Sequence, residues 1–293
     1  MNFLQPKIRM VLATDLNDIL DISSHVWEGY DYLPFVIEEW LKDSNCYTYA
    51  TEVNGHVVGI GNLRLVEKGR TGWLEGLRIH PNYRGKGLAR AITEHIIKHA
   101  QRLHVERLRY TTGSENQASL KLAEKTGFVR VLEMGVFWHP NPNDIPFPRN
   151  YPPIEISSPK KIFELTQETP ELNSHGILIY DWKALDSTLE GFVKVGKSNE
   201  FYISLRKGKL DSYSFGKLRS ESKESMWSFT IYANQNDGFI SHLSHQITLA
   251  SRNQQKAIMC IYETKFEKAL HDLEWQSNEH WKMHLVLVEK TMS

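Results

Sequence analysis

Leu77-Arg78-Ile79-His80-Pro81-Asn82-Tyr83-Arg84-Gly85-Lys86-Gly87-Leu88-Ala89 reads as the end of a strand, a turn and the start of a helix. Trp73, Leu77 and Ile79 alternate with more polar neighbours until Pro81, which lacks the amide a ladder needs. After the turn, Ala89, Ile92, Ile96, Ala100 and Leu103 recur at helical spacing. Gly85 and Gly87 flank Lys86, and without Cβ atoms there, backbone N–H groups at the helix start can converge on one anion. Arg84 and Lys86 add positive charge beside those amides and the positive helix end, which together make a pyrophosphate cradle. The plain alternative is a tight turn, and the strand before it and the helix after it weigh against that.

Two common phosphate loops do not fit. A P-loop ends in Gly-Lys-Ser/Thr, and Leu88 and Ala89 stand where its hydroxyl belongs. A dinucleotide fingerprint asks for a third small residue where Arg90 stands and an acid after the next strand, where Thr111-Thr112-Gly113 follow. The pattern Leu-x-Ile-x-Pro-x-x-Arg-Gly-x-Gly-x-Ala, formed by Leu77, Ile79, Pro81, Arg84, Gly85, Gly87 and Ala89, resembles the acetyl-CoA motif of the GNAT N-acetyltransferase superfamily. The resemblance implies a mixed α/β sheet of GNAT type, acetyl-CoA as cosubstrate, and cofactor contacts from Leu77, Arg78, Ile79, Arg84, Gly85, Lys86, Gly87, Leu88 and Ala89.

The wider chain is compatible with that. It has 293 residues, enough for two ordinary domains, and 41% of them are hydrophobic. Lys+Arg and Asp+Glu are each 35, so nothing favours nucleic acid as a partner. Cys46 and Cys260 are too few for a disulfide framework, which points to a reducing, cytoplasmic setting. No apolar run approaches the roughly 20 residues of a membrane helix, and residues 1–10 lack a secretory apolar core. A soluble protein without a membrane partner is expected, and homo-oligomerisation stays open.

Before the motif, a strand is expected over 8–13, then a helix carrying Leu16, Ile19, Leu20, Ile22 and Val26. Leu33-Pro34 opens a second helix with Val36, Ile37, Trp40 and Leu41 on its apolar side. Between them Trp27-Glu28-Gly29-Tyr30-Asp31-Tyr32 is aromatic and acidic. It either packs the helices on the sheet or binds the acceptor, Trp27, Tyr30 and Tyr32 offering flat walls and Asp31 a carboxylate for an amine. In GNAT enzymes the corresponding region borders the acceptor. Residues 46–53 and 56–66 alternate as two strands around an Asn54-Gly55 turn. A strand over 108–112, a helix over 116–126 ended by Gly127 and a strand over 129–138 complete the first half.

The segment Asn116 to Phe128 also resembles the cofactor-side helix of the family, which begins with Asn and ends Lys-x-Gly-Phe, here Lys125-Thr126-Gly127-Phe128; the resemblance implies cofactor contact by Asn116. Many relatives place a tyrosine two residues before that lysine to protonate the leaving thiolate. Here Ala123 stands there.

Of eleven prolines, seven fall between Pro140 and Pro159, which predicts an extended linker over 141–158 after a catalytic domain over 1–140. A second α/β domain is expected over 159–293. It reads as a helix over 160–166, strands over 176–180 and 201–205, then a strand over 226–232, helix over 239–251, strand over 257–262, helix over 266–273 and strand over 283–289. That last series repeats the motif half of the first domain, but Asn234-Gln235-Asn236-Asp237-Gly238 holds no cation and one glycine. The reading is a degenerate GNAT-like domain that holds no pyrophosphate and closes over the first domain's acceptor pocket.

Acetyl transfer from a thioester asks for a neutral amine, an oxyanion donor and a proton for the thiolate. In the family the central strands splay around the pantetheine arm, which implies exposed amides near Leu77 and Ile79. Period-two counting puts Glu75 on their face of the strand as the candidate base, against a plain reading as an ion-pair partner. Tyr110 on the opposing strand is the candidate acid, against plain sheet packing. No metal site is expected, since His95, His99 and His104 lack a completing ligand set and Glu94 alone makes no zinc-protease pattern. A Ser-His-Asp hydrolase is unsupported, because Gly-x-Ser-x-Gly does not occur.

Tyr30-Asp31-Tyr32-Leu33-Pro34 with Trp40, together with Glu75-Gly76-Leu77-Arg78, is similar to the histidine N-acetyltransferase-like branch of the superfamily. That likeness implies a small-molecule primary amine as acceptor, a free amino acid such as histidine first, with Arg78 or Arg64 meeting its carboxylate. Peptide N-termini, polyamines and aminoglycosides stay open. So does a non-catalytic acetyl-CoA sensor or interaction module, which Ala123 favours.

Overall fold

The computed structural model describes residues 6–145, 154–173, 175–219, 225–273 and 282–292. The first half runs β1 (Lys7–Met10), α1 (Leu16–Ser24), α2 (Leu33–Lys42), β2 (Cys46–Val53), β3 (His56–Val66), β4 (Thr71–Ile79), α3 (Leu88–Arg102), β5 (Arg107–Gly113), α4 (Gln117–Lys125) and β6 (Val129–His139). The second repeats that order: β7 (Glu155–Ser157), α5 (Pro159–Glu168), a hairpin of β8 (Ile177–Tyr180) and β9 (Lys183–Asp186), α6 (Leu189–Gly196), β10 (Glu200–Arg206), β11 (Lys209–Arg219), β12 (Met226–Ala233), α7 (Asn236–Arg252), β13 (Ala257–Glu263), α8 (Glu267–His271) and β14 (Lys282–Thr291). The expected mixed α/β architecture is present.

Local signals act as expected. Asn54 and Gly55 both have positive φ, the demand of a two-residue hairpin turn, and Gly127 ends α4 in the left-handed region. Pro159 opens α5 behind Ser158, whose side chain caps Lys161 N. His95 and His99 pack edge-on against Tyr47 and Tyr49. No helix among the described residues is long and apolar enough to cross a membrane.

One sheet of twelve strands carries everything except the β8–β9 hairpin, in the order β1-β2-β3-β4-β5-β14-β6-β13-β12-β11-β10-β7. The order is a palindrome of the two halves with their last strands exchanged. β14 lies between β5 and β6, and β6 lies between β14 and β13. Each expected half therefore lends its final strand to the other's sheet. Within β14, Leu285 and Leu287 enter the core under the hairpin, α5 and α6, and Val286 and Val288 enter the core beneath α3 and α4. A strand buried on both faces reads as an unbroken apolar run, and such a run carries no mark of which sheet it joins.

Two short elements fall within the range expected as linker. Pro142 is buried in a 3-10 turn over Pro142–Asp144, and β7 occupies the outer edge of the second half. Pro146, Pro148, Pro152 and Pro153 lie outside the described residues.

Candidate active site

Strands β4 and β5 run parallel and stay paired only over Thr71↔Arg107, Gly72↔Leu108 and Trp73↔Arg109. Beyond Trp73 they part, as the family resemblance implies. The matching strands of the second half, β12 and β13, stay laddered from Met226↔Ala257 to Ile231↔Tyr262 and leave no gap.

At the mouth of the opening β4 carries a bulge. Its register with β3 runs Gly59↔Ile79 and Ile60↔Arg78, then jumps to Asn62↔Glu75, so Gly76 and Leu77 stand against Gly61 alone. Gly76 has φ +68°, and a Cβ there would meet the Trp40 ring at 2.6 Å. Both the backbone and the ring exclude any other residue. Glycine inside a strand pattern is the one sequence signal that points to this bulge.

The extra residue overturns the period-two placement of Glu75. Leu74 and Leu77 both pack in the α3-side core, and Ile79 packs beside Leu88. Glu75 lies on the opposite face, where its Oε1 accepts hydrogen bonds from Asn62 Nδ2 and Arg64 Nε, each 3.0 Å long. Arg64 also reaches Asp43 of the turn after α2. Glu75 Oε2 takes no hydrogen bond among the described residues. Tyr110 donates its hydroxyl to Ser119 O at 3.3 Å and packs edge-on against Phe128. Burial pushes its phenol up. Ala123 is buried in the same core.

Past Ile79 the chain turns through Pro81–Tyr83 and reaches Gly85 (φ +76°) and Gly87 (φ +79°). Open space surrounds both, so their requirement is conformational rather than steric. Gly87 is the N-cap of α3 and supplies no side-chain cap; helical bonding begins with Ala91 N to Gly87 O. The amides of Leu88, Ala89 and Arg90 have no intrahelical acceptor and face the end of the helix. Leu88 is buried and seats the helix start. Arg84 is tied by Nε to Ile79 O at 3.1 Å, and Lys86 by Nζ to Asn82 O at 3.0 Å over the Tyr83 ring. Asn116 is the N-cap of α4 and accepts from Ser119 N through its side-chain oxygen, which leaves its Nδ2 for other partners.

The aromatic and acidic loop lies on the other side of β4. Asp31 is 1% exposed, and its carboxylate takes a forked pair of hydrogen bonds from Arg78 and a third from Ser23 Oγ. It is therefore no free carboxylate for an amine: a buried carboxylate without a cation is too costly, and Arg78 supplies the cation. Arg78 stands with this loop rather than with the Arg84–Ala89 turn. Its guanidinium lies 4.9 Å from the Trp27 ring centre and 5.4 Å from that of Tyr32. Burial works against its charge, but Tyr32 and Asp31 outweigh that and hold its pKa above the ordinary value. The Tyr32 phenol, pushed up to about 12 chiefly by burial, accepts the Gly76 amide at 3.1 Å and so links the loop to the bulge. Trp27 and Tyr30 are exposed.

Sequence reasoning gave no role to Tyr180. It sits half-buried at the tip of the β8–β9 hairpin, within the electrostatic reach of Glu75 and Arg64, and burial chiefly holds its phenol above the ordinary value. The hairpin is held to β5 by Thr111 Oγ1 bonding to Trp182 O and by Arg109 pairing with Asp186. Among the described residues, Tyr180 is the second half's one tyrosine in that reach of Glu75.

Residues 14–128 match the model of the Acetyltransferase (GNAT) family. Histidine N-acetyltransferase of Oreochromis niloticus is 35% identical over 87 residues, 29% of this chain and 26% of that protein. Histidine N-acetyltransferase of Xenopus tropicalis is 27% identical over 197 residues, 60% of this chain and 59% of that protein. The matched stretch spans about a quarter of the first of these relatives, 26% of its length. A putative acetyltransferase from Thermoplasma acidophilum superposes with TM-score 0.62 at 17% identity, covering 98% of this chain and 100% of that one. A GCN5-related N-acetyltransferase from Sphaerobacter thermophilus gives TM-score 0.67 at 13% identity, covering 98% and 95%. Those two solved structures share the fold along nearly the whole chain, and residues 14–128 carry its match to the GNAT acetyltransferase family.

Proposed function

We propose that this protein is an N-acetyltransferase that moves the acetyl group of acetyl-CoA to the primary amine of a small molecule, an amino acid such as histidine favoured, by direct attack in a ternary complex. The observation that carries the reading is the parting of β4 and β5 after Trp73, with the bulge at Gly76 on one side and the uncapped start of α3 on the other. In this reading the pyrophosphate takes the amides of 85–90 with Arg84 and Lys86, the pantetheine arm enters the gap, and β4 amides near Leu77 receive the thioester oxygen. The names of the histidine N-acetyltransferases support the amino-acid acceptor.

The amine approaches from the Trp27–Tyr32 side. Asp31 orients Arg78, and Arg78 keeps donors for a substrate carboxylate while Trp27 and Tyr30 wall the side chain. Glu75 takes the amine proton through water, on the face that also holds Tyr180 of the second half. An α-amino group with a pKa of about 8 is already partly neutral near pH 7, so a weak base suffices. A thiol with a pKa of about 8.5 leaves as thiolate without strong acid help, which suits a site where Ala123 replaces the usual tyrosine and Tyr110 is engaged with Ser119.

The test is release of free CoA from acetyl-CoA against free amino acids including histidine, short peptides and polyamines. Release with amino acids alone supports the reading, and release with peptides or polyamines alone moves the acceptor class. Acetyl-CoA binding with no release from any amine would favour a sensor, the reading that buried Ala123 supports.

A further inference from the structure

Asp21 on α1 and His25, the residue at the C-terminal cap of α1, lie one turn apart, and His80 directly follows β4, immediately before the turn that leads to Arg84. Their ligand-type atoms all lie within 4.8 Å of one another. His80 Nε2 is 3.4 Å from Asp21 Oδ2, and His25 Nε2 is 3.7 Å from Asp21 Oδ1. The two imidazoles meet edge to face with centres 5.1 Å apart. Among the described residues, no lysine or arginine pairs with the Asp21 carboxylate.

We propose that Asp21, His25 and His80 form a binding site for a divalent cation of the zinc class. Bonds of 2.0–2.1 Å to zinc in a tetrahedron place neighbouring ligand atoms about 3.4 Å apart. His80 Nε2 already has that separation from Asp21 Oδ2, whereas His25 Nε2 is nearest the other carboxylate oxygen, so binding needs a rotation of the exposed Asp21 and His25 side chains that brings one oxygen to both rings. Two imidazoles and one carboxylate suit zinc, copper or nickel, whereas calcium and magnesium ask for oxygen ligands. Three protein ligands leave the fourth position to water.

The plain alternative is an ion-pair cluster in which Asp21 accepts from protonated or neutral rings. One contact favours it: the Asn82 amide donates to His80 Nδ1, which leaves a neutral ring's proton on Nε2, facing Asp21. A metal at Nε2 requires the tautomer with the ring's single proton on Nδ1, at the cost of the Asn82 contact. That contact is 3.3 Å long, beyond the usual 2.7–3.2 Å range of such bonds, so the loss is small. Metal bound here would join α1 to the turn that carries the cradle. The site is independent of which amine is acetylated, and of whether any is.

The experiment is isothermal titration of the full chain with zinc and separately with magnesium, repeated with His25→Ala, His80→Ala and Asp21→Asn. Cobalt absorption reports on coordination geometry. The expected result is one zinc per chain, at least tenfold weaker in each histidine variant, with a tetrahedral cobalt spectrum in the wild type and no matching magnesium response. Thirteen histidines offer other weak zinc sites, so the variants decide. Absence of zinc binding in the wild type, or binding undiminished in both His25→Ala and His80→Ala, overturns the proposal. Circular dichroism of each variant checks folding, and His25→Gln, at an exposed position, repeats the test should His80→Ala unfold.

Discussion

The Arg78 guanidinium holds the Asp31 carboxylate through two parallel hydrogen bonds, Nε to Oδ2 at 3.1 Å and Nη2 to Oδ1 at 2.9 Å. The pair joins β4 to the loop between α1 and α2, and the Tyr32 hydroxyl makes a second link to the bulge at Gly76. The loop that borders the proposed acceptor is thereby fixed to the strand on which the thioester would lie.

Removing the carboxylate leaves a largely buried guanidinium without its partner. Asp31→Ala is expected to lower stability by about 3 kcal/mol, the low end for breaking a buried pair from one side. Urea unfolding measures it. A loss near zero would mean that Arg78 finds water or another acceptor in the native state.

In the cradle, Arg84→Ala removes a charged contact worth about 1.5–3 kcal/mol to an anion. The expected result is acetyl-CoA binding weakened about tenfold or more, measured by calorimetry, with the melting temperature unchanged because Arg84 is exposed. Gly87→Ala acts differently: open space surrounds the position, but φ +79° costs a side chain about 1–2 kcal/mol, so it weakens both fold and cofactor binding.

Glu75→Gln keeps the size and the hydrogen bond from Arg64 while removing the base. Turnover is expected to fall at least tenfold with acetyl-CoA affinity unchanged, since Glu75 lies on the face opposite Leu77 and Ile79. Unaltered turnover would return Glu75 to the ion-pair role. Tyr180→Phe tests the second half's share by the same split, and a fall in turnover there would make the hairpin part of the acceptor site.

His284 of β14 bonds Glu133 of β6 through Nδ1 and Glu267 of α8 through Nε2, bridging strands that the halves exchange. Burial favours its neutral form, but the two carboxylates outweigh burial and raise its pKa above the usual 6.5. A raised folded-state pKa means that the stabilisation is complete below about pH 6.5 and fades as pH rises through the folded value. The melting temperature of His284→Gln should therefore fall below wild type at pH 5.5–6 and converge with it at alkaline pH. A constant difference at all pH values would assign the bridge no protonation dependence.

The exchanged strand makes a larger prediction. Ending the chain at residue 273 removes β14 and with it Leu285, Val286, Leu287 and Val288, all buried. At about 1.5–3 kcal/mol each their burial supplies roughly 6–12 kcal/mol, comparable with the whole stability of an ordinary domain. The shortened chain should fail to fold, although residues 1–140 hold the entire acetyl-CoA motif. Cooperative unfolding of the shortened chain, followed by circular dichroism, would contradict this.

What the sequence alone determined is whatever depends on near neighbours. The turn with Gly85 and Gly87, the hairpin at Asn54-Gly55 and the helix that Gly127 ends follow from local backbone preference, and the family resemblance supplied the splayed strands. Gly76 carried the mark of a bulge, but period-two counting passed over it and so put Glu75 on the wrong face. Tertiary structure alone decided the pairings between distant segments. Asp31 reads as a free acid until Arg78, 47 residues away, is seen to neutralise it. Asp21, His25 and His80 become one cluster only when α1 packs beside the end of β4. The run Leu285-Val286-Leu287-Val288 announces a central strand but not its sheet, because a strand apolar on both faces fits either half; the ladder with β5 and β6 settled the choice.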